Sequence, residues 1–104
     1  MADVLMCGKM LSHAPLGIAV CAEVARSESL WVHDASAATE NVLIAANALG
    51  LAVYPPQDRV AAMVRVLGMP PGILALCVVA VGHPAETRPT GDRYHEARVH
   101  SEVW

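Results

Sequence analysis

Residues 73–81, ILALCVVAV, are the stretch on which the fold turns. Nine apolar residues rich in Val, ahead of Gly82 and behind the turn sequence Met69-Pro70-Pro71-Gly72, read as a strand covered on both faces. Nine residues are too few to cross a bilayer as a helix. A central strand needs neighbours, and the search for them runs outward in both directions.

Upstream, Pro55 and Pro56 introduce a helix over Gln57 to Leu67 that Gly68 stops. Val60, Val64 and Leu67 form its apolar face, and Asp58, Arg59 and Arg65 its wet one. Before that, Asp34 or Ser36 is placed to cap a helix whose interior is AATENVLIAANAL and whose end is Gly50. From Val42 to Leu49 only Asn47 is polar, so this half is expected to be buried on more than one side, by a sheet and by a partner. Glu23 to Ser29 reads as a loop, and LGIAVCA, residues 16–22, as a buried strand that begins after Pro15. Val4 to Leu11 has the makings of a short helix. Downstream of Gly82, Pro84, Pro89 and Gly91 hold the chain irregular until a polar tail from Asp92 to Trp104. The count is two strands and two or three helices, an α+β or α/β class. Two strands alone do not build a stable sheet, so a second copy of the chain is the economical completion.

At 104 residues the chain is expected to form one domain, residues 1–104, with a limited core. Its 55% hydrophobic content, carried by Ala, Val and Leu with no Phe, exceeds what such a core absorbs and points to a subunit interface. The run from Val42 to Tyr54 is interrupted by Asn47 and Gly50, which argues against a membrane span. Asp3 precedes any basic residue, and no apolar stretch leads to a cleavage site, so the expected compartment is the cytosol. A formal charge of −3 with seven dispersed basic residues gives no footprint for nucleic acid. Cys7, Cys21 and Cys77, an odd number without a CxxC pair, read as buried free thiols.

The residues alone carry no strong catalytic signature: there is no HExxH, GxSxG, Walker loop or dinucleotide fingerprint. The five histidines are scattered, and His95 and His100 fall at a spacing that aligns on neither helix nor strand. His33 beside Asp34 offers an acid–base couple, but a helix cap explains Asp34 more simply. Arg93, Tyr94 and Arg98 belong either to a solvated end or to an anion-binding fork. Trp31 and Tyr54 are placed to plug a core or to stack on a flat ligand.

Four segments in order, KMLSHAPLGIAVCAE, WVHDASAATENVLIAANALGL, DRVAAMVRVLGMPPGILALCVVAVGHPAE and GDRYHEARVHSEVW, resemble the FMN-dependent nitroreductase family over most of the chain. The resemblance implies an α+β fold in which a central buried helix packs on a small sheet completed by dimerisation. It implies FMN at the interface of a homodimer, with the tail of one subunit embracing the other. NAD(P)H as co-substrate and a nitroaromatic, quinone or similar small-molecule acceptor are implied with it. No protein acid or nucleophile is indispensable in such a reaction, because the cofactor carries the chemistry. Arg98 matches the tail arginine that contacts the FMN phosphate, and Val53 and Tyr54 fall near the loop whose backbone meets the isoalloxazine edge. The match covers the C-terminal two thirds of the family's pattern. The basic, phosphate-gripping segment expected ahead of it has no counterpart before Met1, and the glycine-containing stretch between Leu51 and Ala52 is shortened. A second expectation follows: a catalytically inactive relative acting as a dimeric or hetero-oligomeric interaction module, or one whose missing segment comes from another polypeptide.

Overall fold

The computed structural model describes residues 8–54 and 60–104. The strands are β1 (Leu16–Glu23), β2 (Ala52–Tyr54) and β3 (Ile73–Gly82), and the helices α1 (Val24–Ser27), α2 (Trp31–Ala48) and α3 (Val60–Val66). Short 3-10 turns occupy Gly8–Ser12, Glu28–Leu30 and Glu96–Arg98. The strand order is β1-β3-β2 with both pairings antiparallel, so the Val-rich stretch lies in the middle of the sheet as its composition requires. The class is α+β, with one long helix against a small sheet.

Leu16 pairs with Val81 and the ladder runs regularly to Val20 opposite Cys77; the next pair is Cys21 with Ala75. Leu76 is therefore one residue too many, a bulge that flips the sidedness of β3. Beyond it, Cys77, Val79 and Val81 face α2, packing with Ile18, Val20, Val42, Leu43 and Val53. Ala75 joins Val78 and Met63 of α3 on the other face, with Leu11, Ala19 and Met69 around them. Cys77, Val78, Val79 and Met63 are fully buried.

α2 lays Ala35, Thr39 and Ala46 on the sheet at helical spacing. Thr39 donates its hydroxyl to the Ala35 carbonyl at 2.8 Å, and its oxygen lies 3.4 Å from the Cys77 sulfur, which satisfies this buried polar group. The helix ends where Gly50 takes φ +73°, with the Leu51 N–H reaching back to the Ala46 carbonyl at 2.9 Å. Gly68 at φ +62° closes α3 in the same way, through the Met69 N–H and the Val64 carbonyl. In both, only a residue without Cβ takes the left-handed position at low cost.

Several expectations change. α2 begins at Trp31 with no side-chain cap, so Asp34 sits inside the first turn and Ser36 beyond it. A 3-10 turn runs straight into the helix, which removes the need for a capping side chain, and Asp34 still favours the positive end of the helix dipole. Glu23 to Ser29 is helical rather than a loop from Val24 onward. β1 is an edge strand and only half-covered. α3 buries Met63 rather than the Val64–Leu67 side, and Leu67 stays exposed. A third strand, β2, is a three-residue piece that pairs with β3. Among the cysteines, Cys77 is buried and free, Cys21 is free but exposed, and Cys7 lies outside the described residues.

The fold leaves much apolar surface open. Ile44, Leu49, Leu30, Val66, Val99, Val103 and Trp104 are all exposed. The accessible surface is 7954 Å², against about 5,600 Å² for a compact monomer of this mass. The radius of gyration is 16.4 Å, where about 13 Å is usual for this length. Residues 83–104 are exposed throughout, with one short turn at Glu96–Arg98. No described helix is long and apolar enough to cross a membrane.

Candidate functional site

One end of the sheet opens into a groove. Its floor is the start of β2 (Ala52, Val53) and the end of β3 (Ala80, Val81, Gly82), and its walls are Met10 with His13 to Pro15 on one side and His83 to Glu86 with Arg88 on the other. The volume is 680 Å³, within the usual range for small-molecule sites. Pro15 and Gly82 bring the walls together: a Cβ on Gly82 would stand 3.1 Å from the Pro15 ring, tighter than ordinary contact, so a side chain there would press the turn away by a few tenths of an ångström. The turn itself is held by the His13 and Ala14 N–H groups on the Met10 carbonyl at 3.0 and 2.8 Å.

β2 is an edge strand, paired with β3 through Val53 opposite Val81 and Tyr54 opposite Ala80. Among the described residues, one backbone edge of β2 is therefore outside the ladder. The Val53 side chain is half-buried among Cys77, Val79 and Val81, which fixes its backbone at the groove floor. Polar groups at the rim are His13, His83 and the pair Glu86–Arg88, in which the guanidinium Nε lies 2.8 Å from the carboxylate. That pair leaves the rim close to neutral, so the groove suits a flat, largely apolar body better than a bare anion.

Of the residues singled out from sequence, Val53 lines the groove. Tyr54 follows it on the same strand. Arg98 ends the 3-10 turn of the tail, exposed, and is not one of the described groove residues. No ion pair of Arg98 is found among the described residues. His33 and Asp34 are exposed neighbours on α2. His100 stacks on Trp104 with ring centroids 4.5 Å apart, and no cluster of three metal-ligating side chains exists among the described residues. His13, His83 and Arg88 went unnoticed as site residues in the sequence, because nothing local marks residues 13 and 83 as meeting. The only available sign was GHPAE, one part of the family-like stretch.

Among the described residues, Cys21 is the one ionisable group with a clear perturbation: neighbouring atoms desolvate the sulfur and push the thiol up, and Cys77 adds to the shift. The residue is nevertheless exposed overall, so the effect is local to the sulfur. Bulge geometry puts Cys21 and Cys77 on opposite faces of the sheet, which excludes a disulfide between them as the chain stands.

No family model matches the chain. A protein of Archaeoglobus fulgidus provisionally named NADH dehydrogenase/NAD(P)H nitroreductase is 38% identical over all of this chain, which spans 66% of its length. A crystal structure from Bacteroides thetaiotaomicron, with the same provisional name, superposes with a TM-score of 0.88 at 36% identity, over 99% of this chain and 64% of that one. An FMN-dependent nitroreductase from Clostridium difficile has a TM-score of 0.84 at 23% identity, over 93% and 62%, and so shares the fold. The sheet order, the long helix and a likeness running the whole length of the sequence agree, and the chain belongs to the nitroreductase family, spanning just under two thirds of its relatives' length.

Proposed function

We propose that this chain serves an FMN-dependent oxidoreductase that moves electrons from NAD(P)H to a nitroaromatic, quinone or similar small acceptor, in the cytosol and as a homodimer. The observation that carries the reading is the open backbone edge of β2 at the floor of an apolar groove. Such an edge presents main-chain N–H and C=O groups to a flat heteroaromatic ring, and Met10, Pro15, Ala52 and Ala80 supply apolar lining. These residues fit an isoalloxazine ring. The chemistry FMN supplies when bound is two-electron redox exchange with NAD(P)H and with an organic acceptor.

Val53 and Tyr54 hold the ring edge through their backbone. Arg98 holds the phosphate, a role suited to a planar guanidinium with no competing ion pair among the described residues. The tail that bears it is extended, so it can reach a site built partly on another subunit. Pro15 packs against Gly82 at the edge of the groove.

The test is an absorbance spectrum of protein purified with added FMN and then desalted. Flavin absorbance near one per chain, followed by NAD(P)H oxidation with a quinone or nitroaromatic acceptor, is expected. A folded, colourless protein at high micromolar FMN overturns the reading. It would favour the second one, a non-catalytic dimeric or hetero-oligomeric module.

A further inference from the structure

The groove wall that follows β3 ends in an ion pair set between two prolines. Pro84 and Pro89 bracket the segment, and each restricts the backbone of the residue before it, His83 and Arg88. Glu86 and Arg88 line the groove, and Thr87 between them does not. Arg88 donates from Nε to Glu86 Oε1 at 2.8 Å and from Nη2 to the same oxygen. Among the described residues Oε2 of Glu86 has no donor, and the guanidinium keeps further N–H groups on Nη1 and Nη2.

We propose that this pair selects the nicotinamide nucleotide: it receives the free 2′-hydroxyl of the adenosine ribose and turns away a 2′-phosphate, so that NADH is bound in preference to NADPH. The inference rests on the NAD(P)H-linked reading above and adds which of the two nucleotides is taken. Electron exchange requires the nicotinamide at the groove floor, so the adenosine half of an extended dinucleotide lies out along a wall. Glu86 and Arg88 stand four and six residues past Gly82, at most about 14 and 22 Å of chain. That is the scale of a dinucleotide.

Hydrogen bonding and charge act in the same direction. Oε2 accepts from the 2′-hydroxyl, and a spare N–H of Arg88 donates to a ribose oxygen, all without disturbing the pair. A 2′-phosphate puts a charge of about −1.5 to −2 in place of that hydroxyl, beside the carboxylate oxygen that the hydroxyl would have used. To answer it Arg88 would have to leave Glu86, and no other Lys or Arg lines the groove among the described residues. The diphosphate is common to both nucleotides and drops out, since selectivity is a difference of affinities. Both side chains are exposed, so the preference is modest, about 5- to 20-fold, as for like charges a few ångströms apart in water.

The test is calorimetric titration of the full chain with 5′-ADP and with 2′,5′-ADP, beside NADH and NADPH oxidation by the FMN-loaded protein with a quinone acceptor. Wild type is expected to bind 5′-ADP the more tightly, with kcat/KM for NADH above that for NADPH by a similar factor. Glu86→Gln removes the carboxylate charge and frees Arg88, and should reverse the order. Arg88→Ala leaves Glu86 alone and should widen the gap, while Thr87→Ala should change neither. Equal affinity for the two nucleotides, tighter binding of 2′,5′-ADP, binding of neither at millimolar concentration, or a ratio that Glu86→Gln does not move overturns the proposal. Titration needs no flavin, so the two readings separate. A colourless chain with the expected nucleotide order sustains the role of the pair and refutes the flavin site, and a yellow one without that order does the opposite.

Discussion

Replacing Val79 by alanine tests whether the α2 side of the sheet is the core that holds the groove floor. Val79 is fully buried, between Cys77 and Val81 on β3 and against Val42, Leu43 and Val53. The change removes two methyl groups, about 1.6 kcal/mol of lost transfer energy at ~0.8 kcal/mol each. A cavity of roughly 50 Å³, if the surroundings do not collapse, adds about 1.2 kcal/mol. The expected destabilisation is therefore about 1.5–3 kcal/mol, the lower figure applying if α2 settles into the gap. For a chain of this size that lowers the melting temperature by roughly 6–20 °C. Thermal and urea unfolding, followed by circular dichroism at one fixed protein concentration, read the effect. Val53 leans on the same cluster, so FMN affinity should fall with stability. A loss below about 0.5 kcal/mol, the size of an ordinary surface substitution, would refute the placement of Val79 between sheet and helix.

Arg98→Ala should raise the dissociation constant for FMN about 10- to 150-fold, the equivalent of one charged hydrogen bond at 1.5–3 kcal/mol, measured by flavin fluorescence quenching. Arg98→Lys should recover part of it, since charge returns without the fork. Alkylation of Cys21 by iodoacetamide, followed in a Cys7→Ser variant, should need a higher pH than a free thiol does, because its thiol is held above the usual value. The same shift makes the folded state bind the proton more tightly, so this contribution to stability is present below the ordinary thiol pKa and is lost as pH rises through the raised one. Urea midpoints measured from pH 8 to 10 should fall less in Cys21→Ser than in wild type. Gly50→Ala puts a Cβ at φ +73° and should cost about 1 kcal/mol by urea unfolding, although nothing crowds the position.

What was legible in the sequence was local. Continuous apolar character marked β3, and Gly50 and Gly68 marked helix ends because left-handed caps have one favoured residue type. The start of α2 was not legible, since a 3-10 turn replaced the capping side chain the pattern anticipates. β1 read as a buried strand because its apolar composition does not reveal that it stands at the sheet's edge. The shortened stretch after Leu51 concealed β2, three residues that count as a strand only through their pairing with β3. Val53 was reachable through the family likeness. The groove was not, because it depends on Pro15 meeting Gly82 across the sheet.

The extra residue Leu76 shifts by one the positions that face each helix along a single ten-residue strand. Ala75 and Val78 answer to α3, and Cys77, Val79 and Val81 answer to α2. Size changes on either helix are thereby met by separate sets of partners along the same backbone. Deleting Leu76 would remove the bulge and restore strict alternation, with Ala75 still opposite Cys21 and on the α3 side, so both interiors and the hydrogen-bond ladder should persist.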